Sequence, residues 1–142
     1  MRTTELTIHT GSRPGIFDIT DQCRRFVADA LAADGPRAGD GLLVAFVPHA
    51  TCGLVVMELG SGSEQDLLAA LDRLLPREDR YVHRHGSIGH GADHVLPAFL
   101  PPSITIPVVD GQLALGTWQS IGLIDTNVDN ATRRVRLSLI PG

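Results

Sequence analysis

Histidine is the residue type in this sequence with the clearest potential for chemistry. The chain has six histidines, and His83, His85, His90 and His94 fall in one short stretch interspersed with glycines. Neutral imidazole is the commonest protein ligand for zinc and related metals. Because histidines on an irregular segment can converge on one ion, this stretch predicts a metal site and, with it, an enzyme.

Two further candidates, His49 and Glu58, follow apolar runs of the sequence. Residues 42–47 are predicted to form a buried strand, and His49 lies just beyond its end. A residue at the end of a strand is well placed to line a site. A surface histidine bound to loop carbonyls is the commoner outcome for such a residue. Glu58 ends the next apolar run and is suited to be a metal ligand, a general base or the partner of a ligating histidine. A solvated strand end explains it equally well.

The basic residues limit how an anionic substrate can be held. The chain contains no lysine, so a Schiff-base lysine and a phosphate-loop lysine are both excluded. Arginine, histidine or backbone N–H groups must bind any anion. Arg133 opens a predicted strand, where its guanidinium could bind phosphate with two hydrogen bonds. Arg134 and Arg136 would share the opposite face, and a solvated, charged strand explains all three residues as well.

The segment from Gly116 to Gln119 contains the only tryptophan, Trp118. A lone tryptophan usually belongs to the core. Between glycine and polar residues it could instead form the wall of a pocket, with the side-chain amide of Gln119 beside it.

Length and composition indicate one globular domain over residues 1–142. The net charge of −4 gives no electrostatic reason to expect a nucleic-acid or acidic-membrane partner. No stretch is long and apolar enough to span a bilayer, and the first residues do not form a signal peptide. Cys23 and Cys52 lack metal-motif spacing and are expected to be buried thiols. We therefore expect a cytoplasmic protein.

Hydrophobic periodicity predicts two main helices. The first begins near Thr20, with Thr20 or Asp18 as its cap, and ends at residues 34–36. The second is opened by Ser63 as its cap and closed by Pro76. A long polar loop at residues 77–93 carries the histidines, and Asp93 is expected to cap a short helix after it.

Short apolar or alternating segments predict strands. They lie at residues 6–8, 41–47, 53–58, 104–109, 113–115, 119–125 and 134–140. Asp110-Gly111 is a strong signal for a two-residue hairpin between the fourth and fifth of these. Many short strands with two helices indicate an antiparallel, β-rich α+β domain.

Several of these residues also carry a resemblance to the YjbQ-like family, whose members bear the label secondary thiamine-phosphate synthase. The match covers nearly the whole chain in order. It includes His49-Ala50-Thr51 with Glu58, Tyr81 and His83 with His94, Ile106-Pro107-Val108, Gly116-Thr117-Trp118-Gln119, and Arg133-Arg134-Val135. The chain departs from the family pattern at Met57, where asparagine is usual, and at Asp125, where glutamate is frequent. Both departures affect the expected substrate more than the expected metal.

The resemblance implies a specific metal site and assembly. It identifies His49, His83 and His94 as the metal ligands and leaves His85 and His90 outside the ligand set. Three imidazoles with an open fourth position suit a catalytic zinc, although magnesium is possible. The resemblance also implies a jelly-roll-type β-sandwich with helices, assembled as a homotrimer whose subunit junctions could hold the site.

The family label implies that a pyrimidine diphosphate and a thiazole phosphate are joined with loss of pyrophosphate. In this hypothesis Glu58 is the general base, and Arg133 and Gln119 hold a phosphate or another anion. A metal-dependent hydrolase of a small phosphorylated or acyl substrate is the alternative. A non-catalytic, metal- or metabolite-binding trimer is the third possibility.

Overall fold

The computed structural model of the chain describes residues 1–34, 39–78 and 80–142. It contains eight strands, three α-helices and one 3-10 turn in this part of the chain. In order they are β1 Arg2–His9, β2 Gly15–Asp18, α1 Thr20–Asp34, β3 Gly41–Phe46, β4 Cys52–Met57, α2 Ser63–Leu74, α3 His90–Val95, the 3-10 turn Leu96–Ala98, β5 Ser103–Val109, β6 Gln112–Leu113, β7 Ser120–Asp125 and β8 Thr132–Pro141.

The strands form two curled antiparallel sheets. One has the order β1-β8-β3-β5-β6 and the other the order β2-β7-β4. The predicted antiparallel α+β class is therefore confirmed. The finer prediction of a jelly-roll-type sandwich is not confirmed by this strand order. None of the helices in the described ranges is long and apolar enough to cross a membrane.

Two hydrophobic cores lie on opposite faces of the three-stranded sheet. The larger core packs the inner faces of both sheets against α1, and the smaller one packs α2 and α3 against β7. Strand β7 serves both cores, since Leu123 points into the first and Ile124 into the second. Successive side chains of a strand point to opposite faces of the sheet, so β7 can contribute to both cores because both of its faces are covered. The second core thus fixes α3, which carries two of the histidines.

Both cysteines lie in the larger core as free thiols, as expected. Burial raises the pKa of Cys23 and of Cys52 to about 12.

The hairpin and the start of α1 confirm two local predictions. Val109 pairs with Gln112 across Asp110 and Gly111, whose φ angles of +50° and +77° belong to a type I′ turn. Asp18 accepts the backbone N–H of Thr20 at 2.8 Å and so caps α1. Residues 35 and 36, in the predicted end of α1, lie outside the described residues. Strand β2, Gly15–Asp18, is not among the predicted strands.

Two predicted helix caps are wrong. Ser63 is the first helical residue of α2, and Gly62 with a φ of +99° occupies the cap position. Asp93 lies inside α3, which begins at His90 after Gly89 with a φ of +88°. The helix starts earlier than expected because the buried Asp93 carboxylate bonds tertiary partners instead of the N–H groups of a helix end. The histidine-bearing loop is correspondingly shorter.

Candidate metal centre

Three histidines converge beside the N-terminal end of α3. His90 and His94 are one helical turn apart on the same face, and His83 approaches from the preceding loop. One ring nitrogen from each of the three lies within 4.8 Å of the others. The Nε2 atoms of His90 and His94 are 3.0 Å apart. This spacing is compatible with three ligands of one cation.

A fourth imidazole, His85, completes the cluster without belonging to the ligand group. Its ring centre lies 4.1 Å from that of His83 and 4.6 Å from that of His90. An open pocket of about 390 Å³ borders His83, His85 and His90. The cluster is therefore accessible to a small molecule from solvent.

Asp129 orients His90. Its Oδ2 atom lies 2.7 Å from Nδ1 of the ring. The carboxylate is itself held by the backbone N–H of Ser87 at 3.2 Å. The Ser87 hydrogen bond, followed by that to His90, lowers the pKa of Asp129 to about 2. An ionised carboxylate at Nδ1 favours a proton on that nitrogen, which leaves the Nε2 lone pair directed at the other histidines.

The amide of Asn127 supports this assignment. Its Nδ2 approaches His90 Nδ1 to 3.2 Å, but the same atom donates to Asp93 at 3.0 Å and to Asp129 at 3.4 Å. Because the amide has two hydrogens, the two carboxylates account for both.

Gly86 allows the loop to pass this close to His90. A Cβ at this position would lie 2.5 Å from His90 Nδ1 and 2.7 Å from Asp129 Oδ2. Its φ of +78° is also in the left-handed region that favours glycine. Gly86 therefore has a structural role in forming the cluster.

The environment of the cluster favours the neutral form of two of its imidazoles, those of His83 and His94. Partial removal from water, followed by the charges of neighbouring imidazoles, lowers the pKa of His83 and of His94. Metal ions bind the neutral ring, so the arrangement is chemically suited to a cation.

A buried polar network lies beneath the cluster. Asp93, which is 1% exposed, accepts from Arg77 at 2.6 Å and from Thr126 at 2.6 Å. Asn127 links it to Arg133, whose Nη2 donates to Asn127 Oδ1 at 3.3 Å. The network fixes the chain between β7 and β8, which carries Asp129, relative to α3.

His49 does not join the other histidines within one chain. Among the described residues, the convergent donor group comprises His83, His90 and His94. His49 Nε2 accepts the backbone N–H of Arg134 at 3.0 Å, on the five-stranded sheet. Burial, followed by the charges of Arg133 and Arg134, lowers the pKa of His49. The structure thus brings together two of the three predicted ligands and adds His90, which was expected to lie outside the ligand set.

Glu58 and Gln119 lie at the other end of the three-stranded sheet. Met57 pairs with Ser120, whereas Cys52 pairs with Asp125 at the end nearer the histidines. Five residues of strand separate the two ends by about 17 Å. Glu58 accepts from the Ser61 hydroxyl, and Gln119 accepts the Gly116 N–H in a tight turn. Neither side chain reaches the histidine pocket within one chain.

Arg133 is not positioned to hold a substrate anion. It is 3% exposed, and its Nε and Nη2 donate to Asp125 at 2.7 and 3.1 Å. This buried ion pair uses the geometry that phosphate binding would need. The predicted alternation of β8 is confirmed, since Arg134 and Arg136 point outward and pair with Glu5. Trp118 is 73% exposed and belongs to neither core.

Sequence reasoning missed the contributions of His90, Asp129 and Asn127. The spacing of His90 and His94 at i and i+4 was a usable signal, because it places two rings on one helix face. It was overlooked because the helix was expected to begin at Asp93. Nothing in the local sequence marks Asp129, which meets His90 only through the fold.

The fold and the site together define the class of protein. It is an α+β protein with two antiparallel sheets and a histidine pocket beside a short helix. The profile of the UPF0047 protein YjbQ-like family matches residues 4–142, and the chain belongs to this family. It is 54% identical over 142 residues to the UPF0047 protein Rv2556c of Mycobacterium tuberculosis, with all of both chains covered. It is 37% identical to a UPF0047 protein of Archaeoglobus fulgidus, covering 92% of this chain and 95% of that one.

Solved structures share the fold. The hypothetical protein APE1520 from Aeropyrum pernix K1 superposes with a TM-score of 0.88 at 26% identity, over 100% of both chains. An uncharacterized conserved protein of the yjbq/upf0047 family from Clostridium acetobutylicum superposes with a TM-score of 0.83 at 26% identity, over 96% of this chain and 99% of that one.

Proposed function

We propose that this chain is a metal-dependent enzyme that hydrolyses a small anionic substrate at the histidine pocket. The observation that carries the proposal is the convergence of one nitrogen each from His83, His90 and His94 at an open pocket, with His90 oriented by Asp129. Three neutral nitrogen donors with space for a further ligand are typical of catalytic rather than structural zinc sites.

The donor set favours zinc over magnesium. Magnesium prefers oxygen ligands in a nearly ideal octahedron, whereas imidazole suits zinc and neighbouring transition metals. The Asp129–His90 pair resembles the carboxylate–histidine arrangement that increases the basicity of ligating imidazoles. A bound divalent cation would supply Lewis-acid chemistry, by polarising a substrate oxygen and making water more acidic.

The remaining steps fall to side chains around the ligands. His85 lies in the cluster outside the three-nitrogen group, so its ring is available to accept a proton from water and return it to the leaving group. Asp129 keeps the proton of His90 on Nδ1 through the reaction. The general-base role of Glu58 stays a prediction. Within a single chain, the Glu58 side chain does not reach the histidine pocket.

A trimer offers a second arrangement of the ligands. We propose, on the family resemblance, that the chain assembles as a homotrimer in the cytoplasm and that its two sheets act as a jelly-roll-type sandwich. In such a trimer His49, Glu58 and Gln119 of one copy could meet His83 and His94 of another. Sedimentation equilibrium tests the assembly, and a monomeric mass at micromolar concentration would contradict it.

Thiamine-phosphate synthesis is the second candidate activity, and the resemblance to the labelled family favours it. This reaction must neutralise a diphosphate, for which oxygen-bound magnesium is the usual solution. The histidine pocket instead favours zinc, which suits hydrolysis better than this synthesis.

An activity panel on zinc-loaded protein distinguishes the candidates. We expect turnover of a phosphate or carboxylate ester that is lost in His90→Ala and reduced about 10²-fold or more in His85→Ala. His9→Ala, which changes an exposed histidine on β1, is the control and should leave the rate unchanged. Pyrophosphate release from the two thiamine precursors would favour the second candidate. Zinc binding without any turnover would contradict both activities and identify a non-catalytic binding protein.

A further inference from the structure

Arg84 lies on the wall of the histidine pocket. The described residues that line this pocket include the cation Arg84, the anion Glu78 and the imidazoles of His83, His85 and His90. No other arginine lines it in the described part of the chain. Arg84 therefore places a permanent positive charge on the wall of the pocket.

Within the described part of the chain, the guanidinium of Arg84 is anchored but not neutralised. Its Nε donates to the carbonyl oxygen of Tyr81 at 3.0 Å, and no carboxylate partner occurs among the described residues. Other arginines are paired with carboxylates, such as Arg77 with Asp93 and Arg133 with Asp125. An arginine held through Nε alone presents both terminal nitrogens as a planar pair of donors, the geometry that matches a phosphate or carboxylate.

The opposing acid on the pocket wall has a partner of its own. Glu78 pairs with Arg80, so that its charge is compensated from outside the pocket. Ile88 also lines the pocket and is 82% exposed, which gives the uncharged part of a small molecule an apolar surface to contact.

We propose that Arg84 and the histidine cluster form a phosphate-binding subsite, and that the substrate is a small phosphorylated molecule. The inference deepens the proposed function and rests on it for the reaction, but phosphate binding itself can be measured separately. Arg84 takes the anion-binding role that was predicted for Arg133 and Gln119. A pocket of about 390 Å³ is large enough for an ordinary metabolite.

The test is calorimetric titration of inorganic phosphate into zinc-loaded wild type, Arg84→Ala and Arg73→Ala. Arg73 is an exposed arginine in the last turn of α2 and does not line the pocket, so its variant matches the change in net charge. We expect Arg84→Ala to weaken phosphate binding about 10-fold or more and Arg73→Ala to change it less than 2-fold. Zinc content should be equal in all three proteins.

Three results would overturn the inference. The first is that zinc-loaded wild type fails to bind phosphate. The second is that Arg84→Ala binds phosphate as tightly as wild type does. The third is that acetate binds as tightly as phosphate, with the same dependence on Arg84. The last result would indicate a carboxylate substrate. If wild type binds no zinc, the proposed function fails, and the same titration on metal-free protein still decides whether Arg84 binds phosphate.

Discussion

Asp129 determines how His90 meets the other histidines. Its carboxylate lies against Nδ1 and is fixed by the Ser87 N–H, so the Nε2 atom of His90 is left to bind a cation. We expect Asp129→Asn to weaken zinc binding about 10- to 100-fold while the protein stays folded, because partners of ligating histidines typically contribute this much. Competition with a chromophoric chelator measures the affinity. Asp21→Asn, an exposed change of the same charge on α1, should bind zinc as wild type does.

Gly86 and Gly11 provide a matched pair for the loop. Both have a positive φ, of +78° and +75°, but a Cβ at Gly86 would strike His90 whereas a Cβ at Gly11 would meet nothing within 4 Å. Each alanine variant should lose about 1–2 kcal/mol of unfolding free energy through backbone strain. Only Gly86→Ala should also lose zinc affinity. Equal zinc affinity in the two variants would show that the close approach of the loop is not needed for the site.

At the scale of an element, β8 places two neighbouring arginines on opposite faces of the sheet. Arg133 is buried against Asp125, whereas the side chain of Arg134 is 56% exposed beside Glu5. We expect Arg133→Ala to cost about 3–5 kcal/mol of unfolding free energy, because Asp125 is left as a buried charge without its partner. Arg134→Ala should cost less than about 1 kcal/mol. Urea denaturation measures both, and equal losses would contradict the assignment of Arg133 to a structural ion pair.

Local chemistry made several elements predictable. The alternation of β8, the Asp110-Gly111 turn and the Asp18 cap each depend on residues close in sequence, and each appears where expected. Strand β2 was missed because it is short and begins at Gly15, directly after a proline. The start of α3 was misplaced because Asp93 is bound by Arg77 and Thr126, partners that are distant in the chain.

For the candidate site as well, the features that depend on local sequence were predictable and those that depend on tertiary contacts were not. The predicted histidine stretch is the region in which the three nitrogen donors converge, and His83 and His94 both belong to that group. The other assignments depended on which end of a strand a residue occupies. Glu58 and Gln119 lie together at one end of β4 and β7, and the register that places them there is set by tertiary pairing rather than by local sequence.

At the scale of the whole molecule, the larger core makes stability sensitive to alkaline pH. Burial raises the pKa of Cys23 and Cys52 to about 12, so the folded chain keeps both thiols protonated where the unfolded chain ionises them. Stability is therefore fully present below about pH 9 and falls as pH rises toward 12, by up to about 1.4 kcal/mol per pH unit for each thiol.

Thermal unfolding in reducing buffer between pH 8 and about 10.5 measures this dependence. The Cys23→Ala variant should show a shallower loss of melting temperature above about pH 9 than wild type. Identical slopes would contradict the burial of this thiol.

Within one chain, the fold gathers His83, His90 and His94 and keeps His49 apart. The most direct test is the metal content of the purified protein, measured by mass spectrometry for wild type, His90→Ala and His49→Ala. We predict near-stoichiometric zinc in wild type, loss of zinc in His90→Ala and retention in His49→Ala. Wild type without metal after soaking in zinc would contradict the metal centre. Retention in His90→Ala with loss in His49→Ala would contradict the ligand set drawn from the single chain.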